Sequence, residues 1–310
     1  MYSVLSILCL ALFAETPEMG LRSVRAHERW ILAVTMTSDG KWIATGSDDQ
    51  LVRIWDTAAA KEARSIKVPA AVTALAFSRA GKLLAIGLWD GRVQIRRAES
   101  GELVRSIAAH SENITALSWT NDGSRLATAS GDDRCCVWNV QSGEKLLAIE
   151  QGNDYDVTAV GFSPDGKQIA TGDGENQVKI WDAASGDELH TLAGHDEAIS
   201  SLAWSSDGKW IASGSWDDTI KIWDAANMAE RRVIAAHRDD VTSVSFSGDG
   251  QVVASAGADR SVRISEVKSG RPVRAFDSLP AAAAAVVLRD DGKMIAFVCG
   301  DKLFWGEVRP

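Results

Sequence analysis

Residues 195–224 read HDEAISSLAWSSDGKWIASGSWDDTIKIWD, and the order of runs and turns in this stretch decides the fold. AISSLAW, KWIASGS and TIKIWDA are short apolar runs separated by the turn sequences SSDG and WDD, and ELHTLAGH at residues 188–195 shows the form of a fourth run. Short runs rich in Val, Ile, Thr and Trp between turn signals read as antiparallel strands. The glycine of the first turn, Gly208, has counterparts at Gly40, Gly81, Gly123, Gly166, Gly250 and Gly292, spaced 41 to 43 residues apart. A period of this length signals stacked supersecondary units. A single four-stranded sheet cannot cover both of its faces, whereas sheets stacked radially about an axis cover one another.

The phrases IWD at residues 54–56, 180–182 and 222–224, the variant VWN at 137–139 and the GH pair at 194–195 resemble the signature of the WD-repeat β-propellers, over roughly residues 21–308. The turn glycine lies 15 residues ahead of each Trp that is present, and this offset sets the blades. In the last unit the third strand falls on DKLFWGEV at 301–308, and LRSVRAH at 21–27 aligns with LHTLAGH at 189–195. The N-terminal segment therefore supplies the fourth strand and removes an open edge. The resemblance implies an all-β fold, a seven-bladed propeller of four-stranded antiparallel blades, closed by a strand at about residues 21–26 that completes the last blade. Residues 21–310 are expected to form that single domain, with residues 1–20 outside the regular repeat.

At 310 residues and 45% hydrophobic the chain could make two ordinary domains, yet the repeat places almost all of it in one ring. A net charge of −9 and a pI near 5.1 argue against general nucleic-acid or anionic-membrane binding, which needs a basic field. Four cysteines make no disulfide framework, and Cys135 and Cys136, adjacent on one strand, point to opposite faces as core or interblade residues. A cytoplasmic protein is expected, with the nucleus also open. MYSVLSILCLALFA at residues 1–14 is too short for an ordinary membrane span and lacks the basic start of a secretory signal. Its reading stays open between three alternatives. It is a degenerate strand or helix packed on the propeller, or a remnant of a longer chain, because residues 10–27 align without gaps to 178–195 with Phe13 at the Trp position. It is a signal or anchor, which alone would bring secretion, a membrane and the Asn113-Ile114-Thr115 sequon into play. Or it is an unstructured start.

His, Ser or Thr, Asp and Trp recur together as His27, Thr45, Asp49 and Trp55; His110, Thr128, Asp132 and Trp138; and His195, Ser213, Asp217 and Trp223. A catalytic triad occurs once, in one cleft, whereas this set repeats with the structural period. The resemblance implies buried hydrogen-bonded tetrads: the indole only donates, the hydroxyl accepts and donates onward, and the imidazole links hydroxyl to carboxylate. Other blades depart from the pattern. Blade two keeps Asp90 but has Val68, Ile86 and Arg96, and blade four has Asn153 and Glu175 around Thr171 and Trp181. Blade six has Ser265 for Trp beside His237, Ser255 and Asp259, while blade seven has Leu279, Phe297 and Glu307 at the His, hydroxyl and Trp positions. Blades two and seven are therefore expected to rest on apolar contacts and to open first.

The chain contains no GxSxG elbow, Walker A loop or HExxH, and Gly172-Asp173-Gly174 lacks a third glycine at Gln177. His190 and His195 make a poor metal pair, and Asp48-Asp49, Asp217-Asp218 and Asp239-Asp240 fall in tight turns where they serve geometry and solubility. No catalytic, cofactor-binding or metal-ligating residue is assigned. By resemblance, partners bind the face that carries the loop before strand one and the turn between strands two and three. The exposed positions, three and five residues after the His slot and one before the tetrad Asp, hold Trp30, Leu32 and Asp48 in blade one and Ala71, Thr73 and Trp89 in blade two. They hold Asp156 in blade four, Trp216 in blade five, Asp240 in blade six, and Ala282, Ala284 and Gly300 in blade seven. Clustered Trp with nearby Asp suits a protein or peptide bearing Arg or Lys amid apolar residues. The competing readings are a sensor or autoinhibitory module of a larger signalling protein of the repeat-bearing NTPase type and, more remotely, a propeller enzyme. None of the three IWD phrases continues as WDxR, so the chain does not resemble ubiquitin-ligase adaptors of that type.

Overall fold

The computed structural model describes residues 14–16, 20–151 and 155–308; Phe13, Asn153 and the stretch ahead of Ala14 lie outside them. Each repeat forms an antiparallel meander. In blade five the strands are Ile199–Trp204, Trp210–Ser215, Ile220–Asp224 and Ala229–Ile234, and blades one to six all follow chain order. Blade seven takes Ala283–Leu288, Met294–Cys299 and Lys302–Glu307 from one end of the chain and Leu21–Arg25 from the other. Arg22 pairs with Trp305 and Val24 with Leu303 across that junction. Ala14–Thr16 then adds a fifth strand outside Leu21–Arg25, so the closing strand is paired on both edges. Among the described residues no helix is long and apolar enough to cross a membrane.

The first strand of each blade packs on the first strand of the next, and Ala283–Leu288 packs on Ile31–Met36, so the ring is closed. The apolar core is divided among the seams. Val24, Ile31, Trp55, Leu303 and Trp305 form the cluster between blades seven and one, and Ile95, Ile107, Ile114, Leu126 and Trp138 the one between blades two and three. Close approach demands small residues on the second strand: a methyl group on Gly46 would lie 2.3 Å from Val72 Cγ1 of the next blade. Cys135 and Cys136 are both buried and enter different clusters, as opposite faces of one strand must. Burial pushes the Cys136 thiol up to about 11.

Two features differ from expectation. In blade seven the turn between strands two and three is one residue shorter, because Val298 pairs with Leu303 where Gly46 pairs with Val52. Gly306, opposite Ile295, therefore stands where Trp55 stands opposite Ile43, and Glu307 is displaced to the place of Asp56. The second feature is a β-bulge in the first strand of every blade. The register shifts between Ile31 and Ala33, Val72 and Ala74, Ile114 and Ala116, Val157 and Ala159, Ile199 and Ser201, Val241 and Ser243, and Ala283 and Ala285. A bulge bends its strand and re-aims the extra side chain. The skipped residues, Leu32, Thr73, Thr115, Thr158, Ser200, Thr242 and Ala284, all line the central channel.

Closure through Val24, 2% exposed, generates a prediction. Val24→Asp would bury a carboxylate in the seam between blades seven and one and should cost at least about 3 kcal/mol by urea denaturation. A midpoint equal to wild type would contradict closure by this strand.

Candidate partner-binding face

The tetrads fix the loops on which the exposed positions sit. In blade one, Trp55 Nε1 donates to Thr45 Oγ1 at 3.0 Å, His27 Nε2 lies 2.8 Å from the same oxygen, and His27 Nδ1 lies 3.0 Å from Asp49 Oδ2. The same chain runs through Trp138, Thr128, His110 and Asp132, and through Trp223, Ser213, His195 and Asp217. With Nδ1 carrying the proton, every donor in the chain has an acceptor. Burial holds the imidazoles of His27, His110, His195 and His237 below their ordinary 6.5 despite the facing carboxylates. These contacts are hydrogen bonds of a neutral ring at pH 7 and not ion pairs. Burial alone would raise the four Asp carboxyls, but the imidazoles and backbone N–H groups, with the hydroxyls of Thr219 at Asp217 and Ser261 at Asp259, outweigh it and hold them below 3.8.

Each tetrad Asp also ties two loops together. Asp49 accepts the N–H of Glu28, in the loop before strand one, and of Leu51, past the turn between strands two and three. Asp217 does the same with Asp196 and Thr219. Blade six lacks the indole but keeps His237 between Ser255 and Asp259, with Ser261 donating to Asp259 at 2.7 Å.

Blades two and four use substitutes that sequence reasoning missed. In blade two, Arg96 donates to Gln94 Oε1 and to the Gly101 carbonyl, and Arg92 pairs with Asp90, so polar bonds supplement the apolar contacts expected there. In blade four, Trp181 still donates to Thr171, and the buried Lys179 donates to the Gln151 carbonyl with its Nζ 3.9 Å from the buried Asp173. The available signal was a lysine inside the apolar run QVKIWD together with Asp173 at the place of Ser47.

On these pinned loops stand the exposed positions. Trp30, Trp89 and Trp216 are 60%, 63% and 48% exposed, so none folds away into its blade. Backbone bonds hold them to one end of the ring: Asp48 N–H donates to the Trp30 carbonyl, Trp89 N–H to Ala71 and Trp216 N–H to Ala198. Leu32 is also exposed, and Asp48 is paired with Arg29 at 2.9 Å. Asp156 reaches over Gly131 beside Glu112 and Asn113; a methyl group on that glycine would lie 3.6, 3.2 and 3.0 Å from their oxygens. Asp240 joins Asp218 and Asp239, with carboxylate oxygens all within 4.8 Å of one another. Burial and then these two neighbours raise the Asp218 carboxyl. Asp218, Asp239 and the exposed Tyr155, which covers Gly174, were not among the expected site residues. Asp218 meets Asp239 across the seam between blades five and six, and Tyr155 meets Gly174 within blade four, contacts between separate turns that no single run of sequence displays.

The bulge position behaves differently from the other two. Expected to be exposed, it turns toward the following blade in blades three to six, where Thr115, Thr158, Ser200 and Thr242 donate to the carbonyls of Val157, Ile199, Val241 and Ala283.

The WD domain, G-beta repeat, matches residues 20–56, 144–182, 186–224 and 229–264, and the anaphase-promoting complex subunit 4 WD40 domain matches residues 68–122. The chain belongs to the WD-repeat family. Similar proteins include guanine nucleotide-binding protein subunit beta-5b of Danio rerio, 26% identical over 44% of this chain and 36% of the relative. The retinoblastoma-binding protein 5 homolog of Drosophila melanogaster is 41% identical over 22% of this WD-repeat chain and 14% of its own. An uncharacterised WD repeat-containing protein of Synechocystis is 27% identical over 43% of this chain and 39% of its own. The chain thus covers well under two thirds of the length of these relatives.

Two predictions follow from the tetrads. Ser213→Ala would strand Trp223 Nε1 and His195 Nε2 and should cost about 1–3 kcal/mol per stranded group in a urea titration, whereas a cost near zero would contradict the network. The histidines have native values below their unfolded 6.5, so the unfolded chain binds more protons just below that pH. The Tm should hold steady above pH 7 and fall as pH drops below 6.5, with a further fall below 3.8 as the Asp carboxyls protonate. A Tm that rises between pH 7 and 5 would refute this.

Proposed function

We propose that this WD-repeat chain is a non-catalytic interaction platform that binds a protein or peptide segment bearing Arg or Lys amid apolar residues. The observation that carries this reading is three tryptophans held largely in water on one end of the ring, on loops tied down by backbone bonds and, in blades one and five, by buried polar chains. Exposed aromatic clusters mark interaction sites, and Trp is enriched among residues that dominate binding energy. Carboxylates at Asp156, Asp218, Asp239 and Asp240 lend the same face a charge suited to a cation, while Asp48 is paired with Arg29. Indole faces accept a guanidinium or ammonium by cation–π contact. The tetrad His, hydroxyl and Asp groups are spent on internal bonds and repeat from blade to blade, which supports reading them as structure and not as a reaction centre.

Affinity capture with mass spectrometry, using wild type and the combined Trp30→Ala, Trp89→Ala and Trp216→Ala variant side by side, tests the reading. The variant should lose the proteins that wild type retains while its Tm stays within about 2 °C, as surface substitutions do. Unchanged capture by a folded variant would reject this face.

A further inference from the structure

The turn between strands three and four of blade two departs from its counterparts at two positions that meet at one corner. In blades one, three, four and five the residue that ends the third strand, Asp56, Asn139, Asp182 or Asp224, turns back to accept backbone N–H groups two or three residues further on. Blade two has Arg97 at that place, and a guanidinium accepts nothing. The N–H groups of Glu99 and Ser100, both on exposed residues, therefore go without the acceptor that the other turns supply. Guanidinium groups already engage the carbonyls of this turn: Arg64 Nη1 of blade one donates to Ala98 at 3.2 Å and Arg96 Nη1 to Gly101 at 2.8 Å. Lys82 adjoins through its carbonyl, which accepts the Ala98 N–H, and its ammonium is in no ion pair among the described residues. Glu102 faces Arg97 at 3.3 Å with both side chains largely in water, which keeps that pair weak. Leu103 is the second departure. It pairs with Arg96 and is 45% exposed, whereas the same register places Glu62, Lys145, Glu188 and Glu230 in blades one, three, four and five.

We propose that this corner docks an acidic segment of another protein, whose Asp or Glu carboxylate accepts the N–H groups of Glu99 and Ser100 while an apolar neighbour in the segment lies on Leu103. The site is separate from the Trp face, because the turn after strand three lies at the end of the ring opposite the turn before it. The chain supplies its own precedent for the contact. In blade four the Asp182 carboxylate accepts the N–H groups of Ala184 and Ser185 at 2.8 and 2.9 Å, and these bonds hold its carboxyl below the ordinary value. What blade four does within the chain, blade two leaves to a partner. Charge selects the partner's sign: Arg64, Lys82, Arg96 and Arg97 gather at this turn of a chain whose net charge is −9, so an acidic segment is drawn here and repelled elsewhere. A carboxylate that displaces Glu102 from Arg97 also gains a charge-assisted hydrogen bond, which a neutral amide does not. Leu103 adds apolar area beside it, where the other blades named would present a charge.

The test compares Arg97→Asn with Arg97→Gln, which remove the same charge. Asn reaches back to the turn N–H groups, as Asn139 does in blade three, whereas a longer side chain at this place, Glu266 in blade six, takes the Ser269 hydroxyl and no turn N–H. Leu103→Ser is the second site should either variant fail to fold by circular dichroism. The probe is an array of short peptides with a central Asp, Glu, Asn, Lys or phosphoserine flanked by leucine, read with the labelled full chain. Wild type should retain the Asp and Glu peptides about tenfold more tightly than the Asn and Lys ones. Arg97→Gln and Leu103→Ser should each weaken the acidic peptides about threefold, and Arg97→Asn at least about tenfold, because it fills the turn from within. Equal retention of Asp and Asn peptides by wild type, or of acidic peptides by Arg97→Asn and Arg97→Gln, would overturn the proposal. Capture of the phosphoserine peptide with no hold on Asp or Glu would overturn the choice of a carboxylate. The triple-Trp variant should keep the acidic peptides, and their loss there would move the contact to the Trp face. Wild type retaining no acidic peptide would remove this site and leave the Trp face standing.

Discussion

Every blade is a sheet with two apolar faces and no core of its own, so the molecule depends on the antiparallel pairing of Leu21–Arg25 with Lys302–Glu307 that closes the ring. Without that pairing, the faces of blades seven and one that meet through Val24, Ile31, Trp55 and Trp305 would confront water. Closure turns a linear array, in which each repeat leans only on its neighbours, into one in which no sheet face is terminal. It also joins residues almost a full chain length apart, which makes this contact the costliest in loop entropy to form.

Within that frame, two sets of polar bonds act at different radii. The tetrads run outward from the second strand to the third and upward to the loops, so a buried indole ends up governing the position of residues at the surface. The bulge hydroxyls act at the inner radius and sew one blade to the next. Neither set is complete around the ring. Tetrads are absent from blades two and seven, and the inner belt is missing across the seams that flank blade one and follow blade two. The seams without the inner hydroxyl bond lie beside Trp30, Leu32 and Trp89, although blade one keeps a complete tetrad.

The fold was legible in the sequence because its period is long and its turn glycines are in phase. Gly208 and its six counterparts, IWD at a constant offset and the alignment of residues 21–27 with 189–195 were enough to place the blades and the closing strand. The exposed tryptophans were legible for the same reason, since a slot identified in one blade transfers to the others. The one-residue contraction that exchanges Gly306 for Glu307 escaped because Trp305, opposite Ala296, stands at the place of Ile54 and does not mark the tetrad position. Lys179 with Asp173, Arg96 with Gln94, and the meeting of Asp218 with Asp239 and Asp240 escaped because each replaces the repeating pattern with contacts peculiar to one place.

What the sequence determined by itself is the periodic part: strand number, blade boundaries, the order of donors and acceptors in each tetrad, and the loops that face outward. These follow from side-chain chemistry repeated at fixed spacing, which needs no knowledge of neighbours. Only the tertiary structure decided which way the bulged residue points and what it meets. A bulge is a mismatch between two strands, and the carbonyl that receives its hydroxyl belongs to the next blade, so neither is written in any local run of residues.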